Sequence, residues 1–252
     1  MDDLRLPRVL CLHGGGTSAD ILQVQMRAVS HRLRYTFRFV YVDGPFKSNP
    51  HPAIVPFFGD FGPFYRWIRW EESDPHDDRA AAKIRDCIRD AMDKDPGTGD
   101  FVGVLGFSQG AKIAASLLWA QEKVYGGEGP FKFGVIMAGR APIVVLDPEA
   151  KLPETKHTVT PNEMSDYYVE LPETNEGEHV VSTPTLHVHG LQDHGLEKHR
   201  NLVKYYHKTG TFKVVEWDGD HRLPIKADDV ERVAKEWIKM AIDAGVLPKY
   251  AS

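Results

Sequence analysis

The chain has 252 residues, of which 42% are hydrophobic, and its formal net charge is −5. This length and apolar content predict one folded domain and exclude a disordered chain. The two signs of charge are mixed along the sequence, which gives no electrostatic reason to expect nucleic acid or an anionic membrane as a partner.

The N-terminal part of the sequence predicts a strand followed by a helix. Residues 8–12 (RVLCL) form a short apolar run that ends at a glycine turn, so we predict a buried strand with Cys11 as a buried thiol. Apolar residues then recur at helical spacing over residues 19–33, and either Ser18 or Asp20 can cap that helix.

A second strand is predicted at 37–42, and the segment that follows it, residues 47–78, is rich in proline and glycine. The segment also holds many aromatic residues: Phe57, Phe58, Phe61, Phe64, Tyr65, Trp67 and Trp70. Loops of this length are usually functional or disordered, and the aromatic content argues against disorder. We therefore predict a structured aromatic loop at 47–78 that lies over the domain.

The remaining sequence continues the alternation of strands and helices. Strands are predicted at 101–105, 133–137, 185–188 and 212–215, and helices at 77–92, 110–119, 197–207 and 228–244. An irregular, cap-like excursion at 141–183 interrupts the pattern. The alternation predicts a single α/β domain over residues 1–252, with a mostly parallel sheet and helices on both faces.

The strongest motif is residues 106–110 (GFSQG), which match the G-x-S-x-G pattern between a predicted strand and a predicted helix. The turn from strand to helix is so tight that the central residue is strained, and the flanking side chains must be very small. The motif predicts that Ser108 is a nucleophile at the carboxyl edge of the sheet, with the first amides of the helix directed at the reacting carbonyl.

A nucleophilic serine needs a base within hydrogen-bond reach and an acid that orients the base. In this class of fold the acid and then the histidine follow the serine, each after a late strand. Asp193 follows the predicted strand at 185–188, and His221 follows the last predicted strand at 212–215. We predict that these two residues complete a catalytic triad.

Other acids and histidines compete for these roles. We expect Asp218 and Asp220 to shape the turn before His221, and His194 is too close to Asp193 in sequence to be its partner. His199 and His207 lie on a predicted helix, where we expect them to be solvated. His187 and His189 form an H-x-H on a strand, but no acidic or cysteine ligand pattern accompanies them. We therefore predict that these two are satisfied core or sheet-edge histidines, and we predict no metal site.

An oxyanion intermediate needs two preorganised donors, and the amide after the nucleophile, that of Gln109, is the first. The second belongs to the loop after an early strand, here residues 13–16 (HGGG), whose glycines allow the backbone to approach the substrate. We predict that Gly15 is this donor, with Gly16 as the alternative.

The order of five segments resembles the fungal FSH1-like serine hydrolase family, a relative of the carboxylesterases and acyl-protein thioesterases. The segments are residues 12–16 (LHGGG), 65–67 (YRW), 106–110 (GFSQG), 189–193 (HGLQD) and 219–221 (GDH). The resemblance covers nearly the whole chain and implies an α/β-hydrolase fold and an esterase or thioesterase without a cofactor. It also implies similarity to enzymes that release or trim an acyl chain on the carrier domain of a fungal polyketide synthase.

Active sites in open α/β sheets lie at the carboxyl ends of the strands, so the two irregular segments should flank Ser108. An apolar, aromatic cover suits a greasy acyl chain or a fused-ring polyketide, whether free or bound to a carrier protein. Phe64, Tyr65 and Trp67 are the predicted substrate contacts. The alternative is that these aromatics only anchor the loop to the domain.

Two alternative hypotheses for the function remain open. The same triad can support acyl transfer or the hydrolysis of a carbon–carbon bond, and an α/β-hydrolase fold can also serve as a binder without catalysis. The acidic start of the chain does not resemble a secretory signal, and no apolar stretch is long enough to span a bilayer. We therefore expect a soluble, cytoplasmic protein.

Overall fold

The computed structural model describes residues 3–153, 156–164 and 170–249. The strands in these residues are β1 (Arg8–Leu12), β2 (Arg38–Val42), β3 (Phe46–Ser48), β4 (Phe64–Arg66), β5 (Phe101–Phe107), β6 (Phe133–Met137), β7 (Ile143–Val144), β8 (Thr158–Val159), β9 (Thr185–Gly190) and β10 (Phe212–Trp217). The α-helices are α1 (Ala19–Leu33), α2 (Val55–Phe58), α3 (Ala80–Lys94), α4 (Gln109–Lys123), α5 (Leu196–Tyr206) and α6 (Ala227–Asp243). A short 3-10 helix, Pro52–Ile54, precedes α2.

Six strands form the central sheet in the order β10-β9-β6-β5-β1-β2, and every neighbouring pair in it is parallel. β3 and β4 form a separate antiparallel pair, and β7 and β8 form a parallel pair. Because the six strands run in one direction, their carboxyl ends meet at one edge of the sheet, where β5, β9 and β10 each lead into a predicted site residue. The topology confirms the predicted α/β fold.

Apolar side chains cover both faces of the sheet. Along β1, Leu10 and Leu12 join one buried cluster, which includes residues of α3, α4 and α5, while Val9 and Cys11 join the cluster that includes residues of α1 and α6. This division explains why the strand reads as a continuous apolar run rather than an alternating one. Cys11 is fully buried, as predicted.

The first helix begins where its capping residue predicts. The Ser18 hydroxyl accepts a hydrogen bond of 3.3 Å from the Ile21 amide, so Ser18 and not Asp20 is the N-cap of α1. The Asp43 carboxylate, just after β2, accepts a second bond of 2.7 Å from the Ala19 amide. This helix start is therefore held from two sides.

The aromatic loop is attached to the glycine loop that follows β1. The Tyr65 amide donates to Thr17 O at 2.7 Å, and the Gly16 amide donates to Tyr65 O at 2.9 Å. These bonds extend the β3–β4 pair toward the sheet edge. The excursion at 141–183 contains β7 and β8, and residues 154–155 and 165–169 of it lie outside the described residues. In the part of the chain that is described, no helix has the length and apolar character that crossing a membrane requires.

Candidate active site

Ser108 occupies the turn between β5 and α4 with an unusual backbone conformation, φ 54° and ψ −113°. Non-glycine residues rarely adopt a positive φ, and the surrounding structure must impose it. A Cβ atom on Gly106 would lie 2.1 Å from Gly110 O, and one on Gly110 would lie 2.1 Å from Leu12 O. Both glycines are thus required by contact with backbone atoms, which cannot move aside.

Replacing Gly106 tests this explanation of the motif. We expect Gly106→Ala to cost about 3 kcal/mol and to lower the thermal unfolding midpoint by roughly 10 °C, because its Cβ would overlap the helix backbone. Gly14→Ala is the matched control, since its Cβ would meet its nearest neighbours at 3.5 Å, an ordinary contact distance. Equal midpoints for the two variants would show that the tight turn does not need its first glycine.

The structure brings the three predicted triad residues together. His221 Nε2 lies 3.0 Å from Ser108 Oγ, and His221 Nδ1 lies 2.6 Å from Asp193 Oδ2. Nδ1–H donates to the carboxylate, which leaves Nε2 as the acceptor for the Ser108 hydroxyl. The Phe107 ring packs against the imidazole at 5.2 Å between centroids. Ser108 and His221 are both partly exposed, so a substrate can reach them.

Asp193 is held in a nearly closed environment, its side chain being 2% exposed. Its Oδ1 accepts a hydrogen bond of 2.7 Å from the Gly195 amide, while its Oδ2 faces His221. Burial by itself would raise the pKa of Asp193, but the hydrogen bonds from His221, Gly195 and His199 lower that pKa well below its usual range. The carboxylate is therefore ionised and can stabilise a positive charge on His221.

The rival acids have other partners. Asp218 accepts a hydrogen bond of 2.6 Å from the Gln192 side chain, and Asp220 pairs with Arg222 at 3.3 Å. The Gln192 amide also donates to Gly219 O at 2.8 Å. These contacts tie the loop after β9 to the loop after β10, which places Asp193 opposite His221.

The predicted solvation of His199 and His207 is wrong, because both are 0% exposed. His199 lies on α5, and His207 is the residue directly after it. His199 shares the buried face of α5 with Leu202, Val203 and Tyr206. The prediction treated histidine as a surface residue and overlooked its place on the apolar stripe of the helix, the signal that could have revealed it. His187 and His189 are core residues as predicted, and His189 Nδ1 lies 3.8 Å from the Glu216 carboxylate, beyond ordinary hydrogen-bond distance.

His199 contacts the same carboxylate oxygen as His221. Its Nε2 lies 2.9 Å from Asp193 Oδ2, and its Nδ1 lies 2.9 Å from Gly139 O, in the loop after β6. Burial lowers the pKa of His199, whereas the bonds to Asp193 and Gly139 oppose that effect. The predicted triad is thus extended by a fourth side chain that sequence reasoning missed.

The ligand atoms of Asp193, His199 and His221 lie within 4.8 Å of one another, so these residues could also hold a metal ion. A metal would need unprotonated nitrogens directed at a common point. Here both imidazoles instead converge on one carboxylate oxygen at hydrogen-bond distance. The arrangement fits a hydrogen-bonded group better than a metal centre.

The glycine loop after β1 is fixed by a buried histidine. The Gly44 amide donates to His13 Nε2 at 2.9 Å, so the ring proton is on Nδ1, which lies 2.6 Å from Gly14 O. Burial lowers the pKa of His13 to about 4, which keeps the ring neutral at neutral pH. Trp67 donates from Nε1 to His13 O at 2.9 Å. These bonds set the course of residues 14–16 beside the nucleophile.

The hydrogen bonds of this loop distinguish the two candidate oxyanion donors. The Gly16 amide is already bound to Tyr65 O, whereas the Gly15 amide has no acceptor among the described residues. A Cβ on Gly15 would lie 3.1 Å from the side chain of Gln109, which places Gly15 next to the residue after the nucleophile. The amide of Gln109, in the first turn of α4, has no acceptor within its own helix. This geometry favours the Gly15 and Gln109 amides over that of Gly16.

The Gln109 side chain joins the aromatic loop to the nucleophile turn. Its Oε1 accepts bonds of 2.6 Å from the Trp67 amide and 3.3 Å from the Ile68 amide. Trp67 itself is 0% exposed, so it supports the glycine loop and offers no surface to a substrate. Phe64 and Tyr65 are partly exposed, and their contact with a substrate stays a prediction.

His51 is a further residue at this site that sequence reasoning missed. Its amide donates to Gly16 O at 2.9 Å, and its ring stacks on Trp70 at 5.3 Å between centroids. Burial lowers the pKa of His51, and the nearby charge of Arg140 acts in the same direction. Nothing in the sequence around residue 51 predicts this placement, because the aromatic loop brings it there from outside the sheet.

Comparison with known proteins agrees with this geometry. The profile of the family described as "Serine hydrolase (FSH1)" matches residues 1–233. Esterase dbaE of Emericella nidulans is 42% identical, with 98% of this chain and 95% of that protein covered. Probable esterase tazC of Aspergillus terreus is 43% identical, with 96% of this chain and 95% of that protein covered.

A solved structure shows the same fold. The carboxylesterase of Bacillus cereus is 16% identical and aligns with a TM-score of 0.54 over 95% of this chain and 91% of that one. The predicted resemblance is thus confirmed by the family profile, and the predicted fold by a solved structure. The chain belongs to the FSH1 family of serine hydrolases, and it is an esterase with the α/β-hydrolase fold.

Proposed function

We propose that the chain hydrolyses an ester or thioester of a hydrophobic acyl group through Ser108, Asp193 and His221. The observation that carries this proposal is the continuous hydrogen-bonded chain from the Ser108 hydroxyl through His221 to Asp193, with distances of 3.0 Å and 2.6 Å. A serine hydroxyl becomes nucleophilic when a base in this position takes its proton. The positive φ of Ser108 holds the hydroxyl above the sheet edge, where a carbonyl carbon can approach it.

The reaction proceeds in two acyl-transfer steps. Ser108 Oγ attacks the carbonyl carbon while His221 Nε2 takes its proton, and Asp193 stabilises the imidazolium that forms. The Gly15 and Gln109 amides bind the oxyanion. His221 then protonates the leaving alcohol or thiol, which leaves an acyl ester on Ser108. In the second step His221 activates water, and the acid is released as Ser108 regains its proton.

Exposed aromatic residues near His221 support a hydrophobic acyl group. Phe57 is 66% exposed and Phe61 is 60% exposed, and Phe58 packs edge-on against Phe61 at 5.6 Å. We call Phe57, Phe58 and Phe61 the aromatic lip. The guanidinium of Arg222, the residue after His221, lies 5.9 Å from the Phe57 ring centre, which supports a position of the lip near the predicted triad. Apolar surface at such a position favours binding of apolar substrate groups.

Substitution in the aromatic lip should change the preference of the enzyme for the length of the acyl chain and leave the catalytic steps at Ser108 unchanged. We expect Phe57→Ser to raise KM for a decanoyl ester by about tenfold, because a buried phenyl contact contributes roughly 1–2 kcal/mol, while KM for an acetyl ester stays unchanged. Steady-state kinetics with a series of p-nitrophenyl esters measures this effect. Tyr35→Ser is the matched control, since Tyr35 is an aromatic residue that is 80% exposed and lies just after α1. Equal changes for both esters would contradict a role of Phe57 in acyl binding.

We further propose that the natural substrate is a polyketide-type acyl thioester, which the enzyme releases or trims on a carrier protein. The aromatic lip and the resemblance to the FSH1-like family support this assignment. Hydrolysis of acyl N-acetylcysteamine thioesters, followed by mass spectrometry of the products, tests it. We expect free acid from long or aromatic acyl thioesters at a higher kcat/KM than from their ethyl esters. Acyl transfer to an added amine or alcohol in preference to water would instead favour a transferase.

A further inference from the structure

Two imidazole rings lie at hydrogen-bond distance from a single oxygen of the carboxylate in the proposed triad. Asp193 Oδ2 lies 2.6 Å from His221 Nδ1 and 2.9 Å from His199 Nε2. The centroids of the two rings lie 5.9 Å apart, and the ring planes differ by 30°. The mechanism proposed above uses only His221, so the buried His199 has no assigned role in it.

The hydrogen-bond acceptors around His199 determine which ring nitrogen carries the proton that is donated to Asp193. A neutral imidazole has one N–H, and both nitrogens of His199 face oxygen acceptors, Asp193 Oδ2 and Gly139 O. The ionised carboxylate is the stronger acceptor, so in the neutral ring the proton lies on Nε2. In the imidazolium both nitrogens donate. His199 therefore donates to Asp193 in either protonation state.

The other groups around His199 do not compete for this bond. The ring of His189, on β9, lies 5.7 Å away, and burial lowers the pKa of His189 to about 4, so it is neutral. A Cβ built on Gly195 would lie 2.6 Å from the Arg140 guanidinium and 3.1 Å from the His199 ring, so both groups lie beside Gly195. The permanent charge of Arg140 disfavours a second positive charge there. Among the described residues, Asp193 and His221 are the other titratable groups next to the His199 ring.

We propose that His199 is a positioning residue, which holds the Asp193 carboxylate in the orientation that His221 needs and weakens the hold of that carboxylate on the His221 proton. The proposal rests on the triad proposed above. A second donor on Oδ2 takes up part of the carboxylate charge, so Asp193 stabilises the His221 imidazolium less. His221 then loses its proton at a lower pH, and the enzyme keeps its base in more acidic solution.

Substitution of His199 should move the acid limb of the kcat/KM profile, the fall in kcat/KM at low pH, in one direction. In His199→Phe, Asp193 gives its full charge to His221, so the acid limb of the kcat/KM profile should move to higher pH by about one unit. Loss of the bond also allows the carboxylate to rotate, so the plateau kcat should fall about 10- to 100-fold. In His199→Gln the amide can still donate to Asp193, so we expect most of the plateau kcat to return and the limb to move less.

The test is the pH profile of ester hydrolysis for the wild type, both variants and His194→Gln as control, with unfolding midpoints measured for each. His194 is the exposed neighbour of Asp193, and its substitution should leave the profile unchanged. An acid limb that stays in place in His199→Phe overturns the proposal, even when the unfolding midpoint of that variant falls, because a purely structural residue would change stability alone. Should His199→Phe not fold, His199→Ala takes its place, because alanine also removes the donor to Asp193, and an unmoved acid limb in that variant overturns the proposal.

The same experiment separates this proposal from the proposed function. A fluorophosphonate probe should label the wild type at Ser108, and labelling elsewhere would reject the triad itself. Labelling at Ser108 with identical pH profiles in the wild type and the His199 variants would leave the triad standing and reject the positioning role alone.

Discussion

Ser108→Ala is expected to lower kcat for ester hydrolysis by about 10⁴-fold or more. Without Oγ no acyl-enzyme can form, and only the oxyanion donors and substrate binding continue to act. The fold should survive, because the hydroxyl contacts only His221 among the described side chains. Steady-state kinetics with a p-nitrophenyl ester measures the loss.

Two controls make the Ser108 result specific. The unfolding midpoint should stay close to that of the wild type, since alanine retains the Cβ that the strained turn already accommodates. Ser182→Ala, at an exposed serine just before β9, should keep full activity. If Ser108→Ala retains activity within a few-fold of the wild type, a nucleophilic role for Ser108 is wrong.

Asp193→Asn is expected to lower kcat by about 10⁴-fold while the protein stays folded. The asparagine amide can donate to His221 Nδ1, which moves the ring proton to Nε2. His221 Nε2 would then carry a proton, so it could not accept the proton of the Ser108 hydroxyl. Kinetics at pH 7 to 9 measures the loss, which should persist over this range because the tautomer, not a titration, causes it.

The neighbouring acids provide the control for this prediction. Asp220→Asn breaks only an exposed pair with Arg222, so we expect kcat to change by less than about threefold. Activity that depends on Asp220 and not on Asp193 would show that the hydrogen bonds of the structure have been assigned to the wrong acid.

The sequence was sufficient to predict the sheet edge and the three residues that meet there. Ser108, Asp193 and His221 each follow a strand of the central sheet, and parallel strands place such positions at one edge whatever their separation in sequence. The glycines at 106 and 110 carry a local steric constraint, so their role could be read without knowledge of the rest of the fold.

Residues whose position depends on packing between distant segments could not be predicted. His199 is a helix residue whose burial depends on how α5 packs against the sheet, and its bond to Gly139 O joins two loops. Trp67 was expected to contact substrate, but it is fully buried and donates a hydrogen bond to His13 O. In both cases the composition predicted the kind of segment, a helix or an aromatic loop. The direction of the side chain was set by tertiary contacts that the sequence does not show.

Peptide mass mapping after reaction with a fluorophosphonate probe tests the central claim most directly. The account predicts one stoichiometric adduct, located on the peptide that contains Ser108, and its loss in Ser108→Ala. It also predicts much slower labelling in His221→Ala, since the hydroxyl then lacks its base. An adduct on another residue, or equal labelling of the Ser108→Ala variant, would contradict the account.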